Sequence, residues 1–354
     1  MQLNFVTIVY WGNSCQEAIF GKQDRRDKIH PQRGSFMLFI NGKTIEAIAE
    51  PGEVIKTVET AFVALGKGEY TLPERVGFEY EGKTVLFMPC FTPEIFGAKT
   101  LTIVPENRKR GLPSIDGLVM LNHHETGEPL ALLDAKSITA WRTGATGALG
   151  VKYLSDMNAE SLGIVGCGVQ GFYQVLCINA IRNIKRIFLF DIGDTAGFAE
   201  KLKARCPGAT IERCGNTAEL TEKSDIIVTT TFSDDPVLPD DAALLKGKCF
   251  IAVGSYKPHV RELPDSVFSL ASDVYVDLMH ACEESGEIII PMKKGLLKKE
   301  QIKLLHTLIG SPTAHEPGKT TVFKTVGMAL NDIYAGRYFY DKALEKGQGV
   351  TLEM

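Results

Sequence analysis

The sequence lacks the features that mark secreted, zinc-binding and membrane-spanning proteins. Its eight cysteines lie far apart, with no Cys-x-x-Cys pair and no Cys/His cluster. Disulfide frameworks and zinc sites need closer, paired spacing, so we expect reduced cysteines and no bound metal ion. No apolar run approaches the roughly 20 residues that span a bilayer, and the apolar residues 5–11 lack the basic region that begins a signal peptide. We therefore expect a cytoplasmic protein.

A strong excess of charge of one sign is also absent. Lysine and arginine together number 39 and the acidic residues 43, which gives a formal net charge of −4. This balance provides no reason to expect nucleic acid or an anionic membrane as a partner. The basic run Arg108-Lys109-Arg110 is short and is typical of a solvated loop.

The length of the chain and its changing pattern predict two domains. At 354 residues it is longer than single hydrophobic cores usually grow. Residues 12–34 are polar and show no amphipathic period, so we interpret residues 1–35 as a flexible tail. From residue 36, strand-like pieces surround one helix, which is typical of an α+β domain with a largely antiparallel sheet. From residue 161, strands alternate with helices, which indicates an α/β domain with a doubly wound parallel sheet.

Several elements of the first part can be predicted individually. Residues 37–40 form a candidate strand closed by an Asn41-Gly42 turn, and residues 54–65 a candidate helix that stops at Gly66. A long helix is predicted over residues 137–154, where the glycines indicate close packing or a ligand. Further strands are predicted at residues 76–80, 84–88, 99–104, 117–121 and 130–133.

The second part contains six predicted strands with helices between them. The predicted helices include residues 170–181 and 195–204. Beyond the sixth strand, residues 321–344 show one long helical pattern, which we expect to return to the first domain. The strands are predicted at residues 162–165, 186–190, 210–213, 225–231, 250–253 and 274–277.

A glycine-rich motif joins the first strand of this part to its helix. The motif is Gly166-Cys167-Gly168-Val169-Gln170-Gly171, a complete G-x-G-x-x-G. Gly166 allows the tight turn, Gly168 lets the backbone approach a pyrophosphate, and Gly171 permits close contact between helix and strand. The helix amino terminus supplies N–H donors and the positive end of its dipole. The motif therefore predicts a Rossmann site for a dinucleotide.

An acidic residue follows at the position that selects the cofactor. Asp191 ends the next apolar strand, 25 residues after Gly166. A carboxylate there accepts hydrogen bonds from ribose hydroxyls and repels a 2′-phosphate. Ile192 and Gly193 follow, with no arginine to receive such a phosphate, so we expect NAD rather than NADP.

Three basic residues in the first part are candidate ligands for a substrate carboxylate. They are Arg75, Lys99 and Arg142. A guanidinium group binds a carboxylate with two hydrogen bonds, and an ammonium serves as a charge or an acid/base. Arg142 stands out because the Thr, Gly and Ala residues around it leave its guanidinium little room to be merely solvated.

The order of motifs after residue 36 resembles the ornithine cyclodeaminase/μ-crystallin family, which includes archaeal-type alanine dehydrogenases and ketimine reductases. The resemblance covers nearly the whole chain beyond that residue. The matching motifs are Lys99 with Pro105-Glu106-Asn107, Gly111-Leu112-Pro113-Ser114, Glu125-Thr126-Gly127-Glu128-Pro129-Leu130, Ala140-Trp141-Arg142-Thr143-Gly144-Ala145, the glycine-rich motif, Ala252-Val253-Gly254-Ser255, Glu284-Ser285-Gly286-Glu287 and Phe323-Lys324-Thr325-Val326-Gly327.

The resemblance implies a domain plan and a homodimer. It implies that residues 36–150 with 320–354 form a substrate-binding and dimerisation domain, and that residues 151–319 form the Rossmann NAD-binding domain. It also implies that Arg75, Lys99 and Arg142 hold the α-carboxylate of an amino or imino acid, with Lys99 close enough for proton transfer. The implied contacts to the dinucleotide, besides the motif residues Gly166, Gly168, Val169, Gln170 and Gly171, are Ser114, Arg142, Asp191, Thr231, Val253, Gly254, Ser255 and Thr325.

Two positions depart from the cyclodeaminases of this family. Where those enzymes carry an acid/base aspartate, this chain has Tyr256, and where they carry a glutamate for the distal amine of ornithine, it has Leu86. We therefore interpret the chain as an NAD-dependent oxidoreductase that exchanges hydride between nicotinamide and the α-carbon of an amino or imino acid, with Tyr256 in the catalytic set. The alternatives are a cyclodeaminase, which releases ammonia and regenerates NAD, and a non-catalytic, crystallin-like dinucleotide-binding protein.

Other reactive side chains have simpler interpretations. His123 and His124 lie in a predicted turn without the spacing of a metal site, so we interpret them as loop residues. His280 begins a predicted helix and is not assigned a catalytic role. Ser255 lacks a G-x-S-x-G elbow, so the sequence gives no support for a nucleophilic hydrolase.

Overall fold

The computed structural model describes residues 36–310, 316 and 318–354. The predicted tail at residues 1–35 lies outside the described residues. Two β-sheets dominate the described chain, and one long helix packs against strands of both. No helix of the described residues is both long and apolar enough to cross a membrane. The predicted fold class, a Rossmann sheet with a second α+β sheet, is confirmed.

The strands divide into a mixed sheet and a parallel sheet. The mixed sheet has the order β15-β1-β6-β5-β4-β3-β2, antiparallel except where β1 meets β6. The parallel sheet has the order β13-β12-β14-β11-β10-β7-β8-β9. The strands are β1 Phe36–Ile40, β2 Val76–Tyr80, β3 Lys83–Phe91, β4 Ile95–Ile103, β5 Ile115–His123, β6 Pro129–Asp134, β7 Ser161–Val165, β8 Arg186–Phe190, β9 Thr210–Arg213, β10 Ile226–Thr229, β11 Cys249–Ala252, β12 Val274–Val276, β13 Ile302–Leu304, β14 Thr321–Lys324 and β15 Val350–Glu353.

Helices cover one face of the mixed sheet and flank the parallel one. α2, α3 and α11 contact each other, α3 and α11 also contact the mixed sheet, and α4 joins α3 to the parallel sheet. The helices are α1 Gly42–Ile48, α2 Pro51–Lys67, α3 Ala135–Leu154, α4 Val169–Ile181, α5 Ala196–Arg205, α6 Thr217–Lys223, α7 Ala242–Leu245, α8 Asp265–Leu270, α9 Ala281–Glu284, α10 Gly286–Lys293 and α11 Ala329–Glu345, with 3₁₀ turns at Pro105–Arg110, Lys299–Gln301 and Leu305–Leu308.

The parallel sheet reverses its strand order between β7 and β10. β8 and β9 lie to one side of β7, whereas β10, β11, β14, β12 and β13 lie to the other. In open α/β sheets a dinucleotide binds in the crevice outside the carboxyl ends of the strands at such a reversal. The glycine-rich motif follows β7 directly, so the fold places it at this point.

One turn and one helix end predicted near the start were wrong. Asn41 is not in a hairpin turn but caps α1, because its Oδ1 accepts a hydrogen bond from the Thr44 N–H at 3.0 Å. The second helix does not stop at Gly66 but continues to Lys67. It ends at Gly68, whose φ of 70° lies in the left-handed region that glycine adopts without strain.

The helix predicted over residues 321–344 was also wrong in its first part. Thr321–Lys324 forms β14, which pairs with β11 and β12, and α11 begins only at Ala329. A short β-branched and apolar run fits a buried strand as well as a helix by periodicity, and the parallel sheet decides between them. The division into residues 36–150 with 320–354 and residues 151–319 stays a prediction, and it separates β14 from the sheet it completes.

The glycines of α3 are explained by close packing. A Cβ added at Gly144 would lie 2.5 Å from the backbone oxygen of Tyr173 on α4, and one at Gly147 would collide with the Gln174 side chain. A Cβ at Gly150 would collide with Phe323 on β14. The long helix therefore approaches both α4 and the parallel sheet more closely than side chains would allow.

Candidate active site

The glycine-rich motif has the geometry that dinucleotide binding needs. Gly166 has a φ of 99° and would bring a Cβ within 2.9 Å of the Thr230 backbone. A Cβ at Gly171 would collide with the carbonyl oxygen of Gly166, whereas at Gly168 it would meet nothing within 4 Å. The open space lies where a phosphate would approach, and Val169 begins α4 there with its amino terminus exposed. The buried Oε1 of Gln170 has no hydrogen-bond partner among the described residues. These features fit a bound dinucleotide.

Asp191 lies beside this loop at the end of β8. Its Oδ2 accepts a hydrogen bond from the Cys167 N–H at 2.7 Å, and its Oδ1 accepts one from the Gly193 N–H at 2.8 Å. The carboxylate is thus fixed next to the turn that would hold a pyrophosphate. No arginine follows Asp191 directly in the sequence, but Arg213 at the end of β9 pairs with Asp194 at 3.3 Å.

Three predicted cofactor contacts turn their side chains toward buried carboxylates instead. The hydroxyl of Thr231 donates to Glu262 at 2.7 Å, that of Ser255 to Glu287 at 2.7 Å, and that of Thr325 to Asp277 at 2.6 Å. Contacts from these positions to a dinucleotide would therefore come mainly from the backbone, as they would from Val253 and Gly254. The hydroxyl of Ser114, in contrast, is buried and has no hydrogen-bond partner among the described residues.

Lys99 and Arg142 meet at a carboxylate that the sequence analysis did not identify. Asp332, on α11, is completely buried. Its Oδ2 accepts a hydrogen bond from Lys99 Nζ at 2.5 Å, and its Oδ1 accepts one from Arg142 Nε at 3.0 Å. We call Lys99, Arg142 and Asp332 the buried triad. It joins β4, α3 and α11, and its formal charges leave one net positive charge.

Burial makes Lys99 a suitable acid/base near neutral pH. Desolvation lowers the pKa of Lys99 to about 8, an effect that the charge of Asp332 opposes and that of Arg142 assists. A lysine with this pKa exchanges protons readily at physiological pH, unlike an exposed lysine.

Arg75 lines a small, largely apolar cavity of about 160 Å³ next to the buried triad. Met88, opposite Lys99 in the β3–β4 register, and Gly327, against which the Arg142 guanidinium lies, both line this cavity. Lys99 and Arg142 thus lie directly behind its wall. Arg75, which directly precedes β2 of the mixed sheet, forms an ion pair with Glu284 on α9. The remaining apolar lining residues include Leu72, Leu278, Val326, Met328 and Ala329.

The structure does not bring every predicted residue into this site. Tyr256 is 38% exposed, and its ring faces Lys257 Nζ at 5.9 Å; no hydrogen bond within the described residues links it to the buried triad. His123 makes local turn contacts with Thr126. His280 lines the cavity beside Glu284, with Nε2 and Oε2 3.7 Å apart. No group of three or more candidate metal ligands occurs among residues 36–310, 316 and 318–354.

A signal for Asp332 was present in the sequence. It is a charged residue in the apolar stretch Met328-Ala329-Leu330-Asn331-Asp332-Ile333, within a predicted helix. Acidic residues are seldom fully buried unless they are paired, so an acidic residue on the buried face of a helix indicates a partner elsewhere in the chain.

Comparison with known proteins matches this geometry to a family. The family model of the ornithine cyclodeaminase/μ-crystallin family matches residues 39–347. The chain belongs to this family. The resemblance drawn from the sequence motifs is thereby confirmed.

Individual members of the family are similar along their whole length. A Δ1-pyrroline-2-carboxylate reductase of Bacillus cereus is 34% identical over 327 residues, which cover 90% of this chain and 100% of that protein. The Thermococcus litoralis Δ1-pyrroline-2-carboxylate reductase, solved with NADH and L-proline, is 34% identical with a TM-score of 0.83, covering 89% of this chain and 99% of that one. An archaeal alanine dehydrogenase dimer with bound NAD is 28% identical with a TM-score of 0.82, covering 90% and 99%.

The position of Asp191 generates a prediction about cofactor choice. NAD(H) should bind at least about tenfold more tightly than NADP(H), because a carboxylate at this position repels the 2′-phosphate. Substitution Asp191→Ser should reduce that preference by a similar factor, because it removes the carboxylate and leaves Arg213, the ion-pair partner of Asp194, to receive the phosphate. Titration calorimetry with both cofactors measures this, with Asp116→Ser on the mixed sheet as the control. Equal affinities in the unsubstituted protein would contradict the assignment.

Proposed function

We propose that this protein reduces a cyclic α-imino acid of the Δ1-pyrroline-2-carboxylate class with NADH. It is an NAD-dependent oxidoreductase of its family, and the relatives named above include reductases of this substrate class. The observation that carries the proposal is the buried triad behind a small apolar cavity that also exposes Arg75. Together they offer cations for one carboxylate, one proton donor, and apolar walls for a small ring.

The arginines account for binding of the carboxylate. Among the hydrogen bonds of the described residues, Arg142 donates to Asp332 only through Nε, so its two terminal nitrogens remain for a ligand. Gly327 lines the cavity beside these nitrogens and has no side chain to cover them. A Cβ at Gly327 would lie 2.7 Å from one of the two nitrogens. A substrate carboxylate placed in the cavity next to Gly327 would accept two parallel hydrogen bonds from Arg142. Arg75, on the cavity wall, would add a further guanidinium donor, while its charge stays balanced by Glu284.

Lys99 accounts for the proton that the reaction requires. The hydride added to the α-carbon of the imine would come from NADH when it is bound. The imine nitrogen must also gain a proton to become the amine, and Lys99 would hold that proton at Nζ. Asp332 is a positioning residue in this scheme, because its two oxygens fix Lys99 and Arg142 relative to each other. Apolar walls around the ring would exclude water and so limit hydrolysis of the imine.

The inner face of β3 argues against a diamine as substrate. Leu86, Met88 and Cys90 alternate on this strand toward the same side of the sheet as Lys99 and Leu101 on β4. Leu86, where cyclodeaminases carry a glutamate, is partly buried and packs against the hydrophobic core. No carboxylate at that position is available to pair with a distal ammonium.

A homodimer built through the mixed sheet completes the proposal. The sheet face opposite the helices carries Phe87, Leu118 and Met120, which are 44%, 41% and 39% exposed. Strand register aligns Phe87 with Thr100 and Leu118, and Ala98 with Met120, so these side chains form one continuous surface. Contiguous apolar patches of this kind mark interaction sites. The archaeal alanine dehydrogenase neighbour is a dimer, and a second copy of this chain would cover the patch.

The reaction itself is the first test. Purified protein with NADH and Δ1-pyrroline-2-carboxylate should oxidise NADH and form proline, whereas L-ornithine with catalytic NAD should form little or none. Absorbance of NADH, together with chromatographic identification of the product, measures both. Efficient proline formation from ornithine without accumulation of NADH would replace this proposal by the cyclodeaminase alternative.

The pH dependence of imine reduction tests Lys99 and Asp332. Because Lys99 must be protonated to act as donor, kcat/KM for reduction should fall as the pH rises through about 8. Asp332 raises the pKa of Lys99, so Asp332→Asn should move this fall to lower pH by about 1 to 3 units. The control is Asp341→Asn, which removes a carboxylate paired with Arg337 on the same helix. Ionisation of the substrate is common to all three profiles, so an unmoved profile for Asp332→Asn would contradict the role.

The oligomeric state tests the apolar sheet face. The unsubstituted protein should sediment with twice the mass of the chain, and Met120→Lys should shift it toward the monomer because the charge would be buried in the interface. Met157→Lys, at a methionine 71% exposed outside this face, serves as the control. A monomer at micromolar concentration in the unsubstituted protein would rule out the homodimer.

A further inference from the structure

Four fully buried charged residues lie at the carboxyl edge of the parallel sheet and are not used by the proposed reaction. Glu262, Asp277, Glu287 and Lys324 each have no exposed surface. Within the described residues, Lys324 Nζ has no hydrogen-bond partner, although the charges of all three carboxylates act on it. Buried charges are expensive unless they are paired or hydrogen-bonded, so a cluster of four requires an explanation.

Glu262 joins the ends of two neighbouring strands. One carboxylate oxygen accepts hydrogen bonds from the Thr231 N–H at 2.6 Å and the Thr231 hydroxyl at 2.7 Å. The other accepts from the Thr229 hydroxyl at 2.9 Å and the Gly254 N–H at 2.7 Å. A single side chain therefore fixes the loops that follow β10 and β11. No neutral side chain of this size offers two acceptor oxygens.

The other members of the cluster bind Glu262 and the loop that follows β14. Glu287 accepts hydrogen bonds from the backbone N–H of Glu262 at 2.8 Å and from the Ser255 hydroxyl at 2.7 Å. Asp277 accepts from the Gly327 N–H at 2.7 Å and from the Thr325 hydroxyl at 2.6 Å, and so fixes the loop after β14. Lys324, the last residue of β14, provides the positive charge among them.

These loops lie on one side of the strand reversal, and Asp191 lies on the other. Asp191, after β8, is the candidate ligand for the adenosine ribose, and the glycine-rich motif after β7 is the candidate pyrophosphate site. A dinucleotide that crosses the reversal must place its nicotinamide half over the ends of β10, β11 and β14. The contact of Gly327 with Arg142 brings the same loops to the substrate cavity.

We propose that Glu262, held by Glu287 and balanced by Lys324, is a positioning residue for the nicotinamide ring. The inference rests on the proposed function, because it takes the bound cofactor to be NAD. The four hydrogen bonds to Glu262, two from backbone N–H groups and two from threonine hydroxyls, fix the two loops that would face the ring. Their loss should weaken the binding of the ring without affecting the adenosine and pyrophosphate sites.

Two ligands that differ by the nicotinamide ring separate this role from a general structural one. In Glu262→Gln, an amide NH₂ replaces one acceptor oxygen and faces groups that themselves donate, so one of the two loops must move. We expect NADH to bind at least about tenfold more weakly and ADP-ribose to bind within about twofold of its original affinity. Titration calorimetry with both ligands measures this, and Glu200→Gln, at an exposed ion pair with Lys203, is the matched control.

A milder variant keeps the test valid if Glu262→Gln does not fold. Thr229→Val is nearly isosteric and removes one hydrogen bond to Glu262, so NADH affinity should fall by a smaller factor with ADP-ribose again unchanged. Equal losses for both ligands would show that the cluster only supports the fold, and unchanged NADH affinity would show that it does not act on the ring. Failure of the unsubstituted protein to bind either ligand would instead overturn the assignment of NAD, and this inference with it.

Discussion

The carboxylate of Asp332 is the contact on which the geometry of the site depends. It is completely buried and receives hydrogen bonds from an ammonium on β4 and a guanidinium on α3. Removing one partner from a buried ion pair leaves an uncompensated charge and typically destabilises a protein by about 3 to 5 kcal/mol. The three elements must therefore keep their relative positions. α11, which comes last among the helices of the described chain, is as necessary to the site as the strand that carries Lys99.

The same need for compensation shapes the nucleotide side of the molecule. Backbone N–H groups at the ends of β10, β11 and β14 are satisfied by Glu262 and Asp277 rather than by helix or sheet partners. The end of β7 differs, because glycines there leave open space and an exposed helix amino terminus. One side of the strand reversal is thus prearranged by side chains, while the other is left free for phosphate. α3 contacts both sheets, and its glycines let it approach α4 and the parallel sheet closely, which ties the two arrangements together.

The parts that the sequence predicts well are those with a local signal. Strand-helix alternation and the motif from Gly166 to Gly171 identify the Rossmann sheet, because each element is decided by residues close together in the chain. β14 could not be predicted, because its four residues suit a strand or a helix equally and only pairing with the distant strands β11 and β12 decides between them. The roles of Asp332 and Glu262 could not be predicted for a related reason. Lys99 and Asp332 are 233 residues apart, and no local pattern states which distant side chains will meet. The roles of Thr231 and Ser255 were assigned by resemblance alone, and their hydroxyls prove to face carboxylates.

Charge balance gives a physical reason why this cavity suits an imino acid better than a diamine. Lys99 and Arg142 contribute two positive charges and Asp332 one negative charge, which leaves one positive charge, while Arg75 is balanced by Glu284. A neutral imine with an ionised carboxylate brings one negative charge, so the complex has no net charge in a region of low dielectric. In the proposed reaction, transfer of a proton from Lys99 to the nitrogen would make the triad neutral and the ligand a zwitterion, and the total charge would stay the same. Ornithine carries an additional ammonium, and because Leu86 packs against the core at the position of the cyclodeaminase glutamate, that charge has no carboxylate there to meet it. An unpaired charge moved from water into such a site costs several kcal/mol, which exceeds what a few apolar contacts return.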